Sequence, residues 1–152
     1  MPRGFRIVKS THSANAFDGE GARQYGGRWN SPGTAVVYAA QSESLAALEL
    51  LVHLQASQLL SSYSTLAVDF EDSLVEVCVA SALPSDWNEY PAPTGLQELG
   101  DRWVCENRSA ILQVPSAVIP TEAIYVLNPN HPDFRRIAIG PPTPFRFDPR
   151  LK

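Results

Sequence analysis

The chain has 152 residues, 44% hydrophobic and 18% charged, with a formal net charge of −4. That length predicts one domain with a core large enough to need no staple, and the apolar content excludes wholesale disorder. Twelve Lys and Arg against sixteen Asp and Glu provide no phosphate-neutralising field, which argues against direct nucleic-acid binding.

Thirteen Pro and nine Gly predict many turns and short elements. Residues 4–8 read as a first strand. Residues 12–33, with Gly19, Gly21, Gly26, Gly27 and Gly33, read as one long loop, and loops of that length in compact domains are usually functional. The β-branched run 34–40 predicts a buried strand. Ser42 offers an N-cap for a helix over 43–56. That helix is leucine-rich, with Ser42, Glu49 and His53 on one narrow polar stripe. Strands follow at 64–70 and 74–79, and then an irregular, Pro-rich loop at 84–95. Thr94 and Gln97 suggest a capping box for a second helix over 95–106 that buries Leu96, Leu99 and Trp103. Further strands are expected at 110–114, 123–127 and 136–139, with a last extended stretch at 145–147. The order predicts an α+β fold with two helices and no Rossmann sheet.

Several common chemistries drop out. His12, His53, His131, Cys78 and Cys105 show no metal-ligand spacing, so no metal is expected. The two cysteines read as a reduced, buried pair. Trp29-Asn30-Ser31-Pro32-Gly33 lacks the first glycine of a nucleophile elbow and precedes its strand. Gly19-x-Gly21 has no third glycine at the dinucleotide-binding position and is expected to precede no helix. No apolar run reaches the ~20 residues of a membrane span, and the start has no signal-peptide core. A cytoplasmic, non-membrane protein is the expectation.

What remains is a set of residues with two readings each. Glu49 sits among leucines, and a carboxylate is costly to bury unpaired, so its stripe faces either solvent or a polar cleft. Arg28 follows Gly26-Gly27 and precedes Trp29. It either grips a planar anion or stacks on Trp29 as a surface residue. Tyr38 lies in the expected buried strand, as core or as ligand contact. Ser116 follows Val114-Pro115, as an ordinary turn serine or as a site residue.

Together, Gly26-Gly27-Arg28-Trp29-Asn30, Val37-Tyr38-Ala39-Ala40, Leu45-Ala46-x-x-Glu49-x-x-x-His53, Val114-Pro115-Ser116-Ala117 and Asn128-Pro129-x-His131-Pro132 resemble the RES domain family. The likeness spans nearly the whole of residues 1–152. It implies an ADP-ribosyltransferase-like split β-core with flanking helices, and NAD+ as substrate. It also implies a growth-inhibiting toxin that cleaves NAD+ by hydrolysis or phosphorolysis, or transfers ADP-ribose to a protein acceptor. The implied partner is an Xre-type antitoxin. By position, Arg28 and Glu49 would be catalytic, with Arg28, Tyr38, Trp29 and Ser116 touching substrate. Ser109 competes for the serine role, and Arg6, His53 and Asn128 are further candidates. The alternative is a module that binds a nucleotide or a protein without turnover.

Overall fold

A computed structural model of the chain describes residues 1–151. Eight strands form one sheet: β1 (Arg3–Lys9), β2 (Val37–Ala40), β3 (Tyr63–Asp69), β4 (Val75–Val77), β5 (Ile111–Pro115), β6 (Ala123–Leu127), β7 (Ala138–Ile139) and β8 (Thr143–Phe145). Their order is β4-β5-β6-β2-β1-β3-β7, with β8 pairing the other end of the β3 edge. All pairs are antiparallel except β4 with β5. Three α-helices are α1 (Glu20–Tyr25), α2 (Glu43–Leu51) and α3 (Thr94–Cys105).

The period-2 pattern of the strands separates two cores. On β2, Tyr38 and Ala40 face one cluster while Val37 and Ala39 face the other. The first cluster gathers Trp29, Leu45, Leu96, Trp103, Val114, Ile124 and Val126 beneath α2 and α3. The second joins Val68, Phe70, Ile111, Tyr125, Leu127 and Ile137 on the opposite face. Every candidate described below as part of the site lies on the α2/α3 side.

The structure departs from the sequence reading at several places. Residues 12–33 are not one loop: Ser10–Asn15 form a 3-10 turn, and α1 starts directly after Gly19. Gly19-x-Gly21 therefore does open a helix. Asp18 Oδ1 accepts the Glu20 N–H at 2.9 Å and nucleates it. The strand expected over 34–40 is confined to Val37–Ala40. Helix α2 begins as expected, with the Ser42 hydroxyl accepting Leu45 N–H at 3.1 Å, but stops at Leu51. Its last turn tightens through His53 N–H to Leu50 O and Leu54 N–H to Leu51 O. Gln58 Oε1 then accepts the Gln55 N–H at 2.7 Å, which opens a separate 3-10 turn over Ala56–Leu60. The expected helix 43–56 is thus cut in two by side-chain capping.

The Thr94/Gln97 capping box does not form, since Pro93 is the N-cap and no side chain caps it. Gln97 is used elsewhere, as shown below. The strand expected at 136–139 shrinks to Ala138–Ile139 behind a 3-10 turn, Pro132–Arg136. The cysteines are free but not a buried pair, because Cys78 is half-buried and Cys105 exposed.

Candidate functional site

Arg28 sits on the turn joining α1 to β2, and this turn is held by side chains from three directions. Gly27 and Asn30 form an isolated β-bridge, with Gly27 N–H to Asn30 O at 2.9 Å. A Cβ on Gly27 would lie 2.8 Å from the Tyr38 hydroxyl oxygen and 3.0 Å from Asn30 Oδ1, so only glycine permits this approach. From above, α3 presents Gln97, Gly100 and Asp101 on one face. Gln97 Nε2 donates to Gly27 O (3.0 Å) and Asn30 O (3.2 Å). Asp101 accepts from the Ser31 backbone N–H at 3.0 Å and from the Ser31 hydroxyl. Between them, Gly100 lets the Trp29 carbonyl pass where a Cβ would stand 1.7 Å from its oxygen. That is why Gln97 is unavailable to cap its own helix.

Arg28 does not stack on Trp29. Its Nη1 donates to Trp87 O at 3.0 Å and Glu89 O at 2.8 Å, tying it to the Pro-rich segment before α3. Its Nε and Nη2 have no protein partner among the described residues. A guanidinium fixed by one nitrogen thus keeps the two-nitrogen edge that matches oxygen pairs. Trp29 itself is 2% exposed and belongs to the core, so its expected contact with substrate is corrected to a packing role. Tyr38 reaches the same turn from β2: its hydroxyl accepts Trp29 N–H at 3.1 Å and donates to Asn30 Oδ1 at 2.6 Å. Burial raises its ionisation well above the ordinary phenol range, so the hydroxyl is a stable donor.

A second group of candidates joins α2 to the end of β5. Ser116 follows β5, where its backbone N–H bonds Glu122 O at 2.9 Å, and its hydroxyl is buried. The hydroxyl oxygen accepts Val118 N–H at 3.1 Å and Ile119 N–H at 3.0 Å. With its lone pairs so used, the proton is directed to Glu49 Oε1 at 2.6 Å, a charge-assisted bond. Glu49 Oε2 has no protein partner among the described residues. Glu49 is half-buried and its carboxylate is paired with Ser116, so it does not stand unpaired among the leucines. The Ser42/Glu49/His53 stripe does not survive as a unit. Ser42 caps, Glu49 turns to Ser116, and His53 lies exposed beyond the end of α2.

The other candidates lie apart from these contacts. Ser109 accepts the Trp103 indole N–H at 2.8 Å and donates to Ile111 O at 2.8 Å. It satisfies a fully buried ring and has no bond to Glu49. Asn128 is buried, with Oδ1 accepting Asn130 N–H at 3.0 Å and its backbone N–H bonding Ala110 O, a turn-forming role. Arg6 binds two carbonyls, Nε to Ala16 O at 2.8 Å and Nη1 to Tyr38 O at 3.0 Å. Burial lowers its pKa to about 10. It braces β1 against β2 behind Tyr38.

A surface groove of about 710 Å3 lies between the β3 and β8 ends with Ser10, Leu59, Tyr63 and Arg146 in its wall. A smaller one of about 250 Å3 runs beside Gln41, Gln113, Pro115 and Glu122, next to the strand end that carries Ser116. Arg28, Tyr38 and Glu49 line neither. Among the described residues no three His, Cys, Asp or Glu side chains cluster as metal ligands. No described helix is long and apolar enough to cross a membrane.

The sequence singled out Arg28, Tyr38, Glu49 and Ser116 as candidates and read Gln97 only as part of a capping box, and it assigned no role to Asn30, Gly100 or Asp101. Asn30 stands inside the glycine-led stretch that carried the resemblance, which was the available signal. The α3 residues gave none.

The RES domain model matches residues 3–148. A Toxin Res of Yersinia enterocolitica is 41% identical over 149 residues, covering 97% of this chain and 98% of its own. A Prs ADP-ribosylating toxin of Sphingobium sp. is 36% identical over 144 residues, covering 93% and 89%. In fold, the chain is similar to one in the crystal structure of the M. tuberculosis MbcT–MbcA toxin–antitoxin complex. The TM-score is 0.80 and the identity 22%, with 99% of this chain and 86% of that one covered. The α+β architecture expected from the sequence is the one observed, shared in fold with that toxin–antitoxin complex, and the chain belongs to the RES domain family.

Proposed function

We propose that this protein is the toxin of a toxin–antitoxin pair and that it consumes NAD+ by breaking the nicotinamide–ribose bond. Supporting the first part are the Toxin Res relatives and the toxin–antitoxin complex with the same fold. Supporting the second are a relative named as an ADP-ribosylating toxin and the chemistry of the site. The observation that carries the reading is Glu49, a half-buried carboxylate with Oε1 anchored on Ser116 and Oε2 left free.

Nicotinamide leaves as a neutral molecule with the electron pair of the glycosidic bond, and the ribose C1 becomes oxocarbenium-like. A fixed carboxylate beside the ribose favours that positive charge more than the ground state, which is the condition for lowering the barrier. Glu49 Oε2 takes this role and accepts a hydrogen bond from a ribose hydroxyl, while Ser116 holds the carboxylate's orientation. The free Nε/Nη2 edge of Arg28 clamps the pyrophosphate oxygens, and the Tyr38 ring flanks the nicotinamide. Water, phosphate or a protein side chain then adds to C1, closing hydrolysis, phosphorolysis or ADP-ribosylation respectively. The reaction takes place in the cytoplasm and requires no metal. The partner is an Xre-type antitoxin that shields the site.

The test is release of nicotinamide by the purified protein from NAD+, with and without phosphate and with cell lysate. Wild type is expected to release it, and Glu49→Gln to lose about 100-fold or more in kcat at an unchanged melting temperature. A fully active Glu49→Gln protein removes Glu49 from the chemistry. A wild-type protein that binds NAD+ and releases no nicotinamide under any of these conditions is a binding module instead.

A further inference from the structure

Asn30 is fully buried and each atom of its amide is assigned by its partners. Nδ2 donates to Ala22 O at 2.8 Å and Thr34 O at 3.0 Å, two carbonyls that can only accept. Oδ1 accepts the Tyr38 hydroxyl at 2.6 Å. The direction of that bond is forced, because Nδ2 is held on the two carbonyls and the amide oxygen left facing the tyrosine carries no hydrogen and can only accept. The chain Trp29 N–H to Tyr38 O–H to Asn30 Oδ1 thus runs one way, with no alternative polarity. One side chain fastens the end of α1, the entrance to β2 and the Tyr38 ring, and it stands two residues from Arg28.

We infer that Asn30 is a positioning residue for NAD+ cleavage, acting through Tyr38: it fixes the ring and the Arg28 turn in one mutual orientation. This rests on the function proposed above. The chemistry of the position admits few substitutes. A carboxylate keeps the acceptor for Tyr38 but loses both donors and faces two carbonyl oxygens, while a shorter side chain cannot span from Ala22 and Thr34 to the tyrosine. A residue needed only to hold the turn together would cost the same whether or not the tyrosine hydroxyl is present. A residue acting through Tyr38 would not.

A double-mutant cycle separates the two. Asn30→Ala is expected to lower kcat/KM for nicotinamide release by about tenfold or more in the wild-type background. In the Tyr38→Phe background the same change is expected to cost less than about threefold, each protein being assayed below its measured melting temperature. Equal losses in both backgrounds, or no loss in the first, overturn the proposal. Should Asn30→Ala not fold, Asn30→Ser carries the same cycle, since its hydroxyl is one atom short of Tyr38. Proton NMR of the wild type and the Asn30 variant gives a readout independent of turnover. The shielded Tyr38 hydroxyl proton is expected as a slowly exchanging resonance that disappears in the variant. Its persistence there overturns the positioning role. If wild type shows the resonance and the variant loses it, yet neither releases nicotinamide, the proposed function fails while the Asn30–Tyr38 coupling stands.

Discussion

The two halves of the site are built on opposite principles. The Arg28 turn is over-determined. Gln97 and Asp101 hold its backbone from α3, Asn30 and Tyr38 from below, and two carbonyls of the segment before α3 take up one nitrogen of the guanidinium. The Glu49 half depends on a single side-chain bond between α2 and the residue after β5. A loop has no repeating hydrogen-bond ladder, so it becomes rigid only by acquiring partners elsewhere. A helix is already rigid, so one bond suffices to aim a carboxylate projecting from it. Damage to the first half should therefore register as instability together with lost activity, and damage to the second as a loss of chemistry that its loss of stability does not account for.

The largest effect expected is at Gly100. Its added Cβ would meet the Trp29 carbonyl oxygen at 1.7 Å and the carbonyl carbon at 2.8 Å. These are backbone atoms that cannot rotate away. Gly100→Ala must push α3 from the turn, breaking the Gln97 and Asp101 bonds together, and is expected to cost about 3 kcal/mol or more. Thermal unfolding followed by far-UV circular dichroism measures it. A melting temperature equal to wild type would show that the turn is not clamped by α3 at all, and the contrast between the halves would go with it.

A serine pair sharpens the contrast from the other side. Ser109→Ala leaves the Trp103 indole N–H, on a side chain with no exposed surface, without its acceptor. It should lower stability by about 1–3 kcal/mol with kcat per folded molecule unchanged. Ser116→Ala also orphans two backbone N–H groups, so its stability loss is expected to be similar, but it frees Glu49 as well. Its kcat for nicotinamide release should fall by about tenfold or more. Matching kcat values for the two variants would mean that Ser116 does nothing for Glu49 beyond packing.

These contrasts follow the limits of what a linear sequence displays. The apolar runs of β5 and β6 and the Ser42 cap are local, and they are read from a few neighbouring residues. Helix α1 escaped because none of its six residues is buried, so no apolar period marks it, and its start depends on the Asp18 side chain. The end of α2 escaped because leucines continue past it, while the Gln55–Gln58 cap that interrupts it is made of residues unremarkable one by one. In the site, Arg28, Tyr38 and Glu49 stood out through glycine pairing, a conspicuous charge among leucines and the family likeness. Gln97 and Asp101 act across gaps of 70 residues; the neighbourhood of Gln97 suggested a helix cap instead, and nothing beside Asp101 distinguishes it from a solvated helix position. Chemistry borne by one residue type was legible, whereas the scaffolding that aims it depends on tertiary contacts.

A pair outside both halves supplies the baseline. Arg3 and Asp69 face each other directly across β1 and β3, with Nε to Oδ1 at 2.7 Å and Nη2 to Oδ2 at 3.1 Å. The hydrogen bonds from Arg3 hold the Asp69 carboxyl below its usual range, and Asp69 raises the guanidinium in turn. Both side chains are substantially exposed, so the pair should contribute little. The sign of its pH dependence is nevertheless fixed. A carboxyl whose folded pKa is depressed stabilises above the unfolded value of about 4, and that contribution is lost as pH falls through the lower folded value. Arg3→Ala should therefore melt slightly below wild type at neutral pH. The gap should close as both are titrated below pH ~3, with nicotinamide release at neutral pH unaffected. A gap that widens on acidification would mean that the bidentate contact is not what binds these two strands' ends. An accompanying loss of activity would show that the sheet transmits strain from this edge to Tyr38, through the Arg6 brace on the same strand.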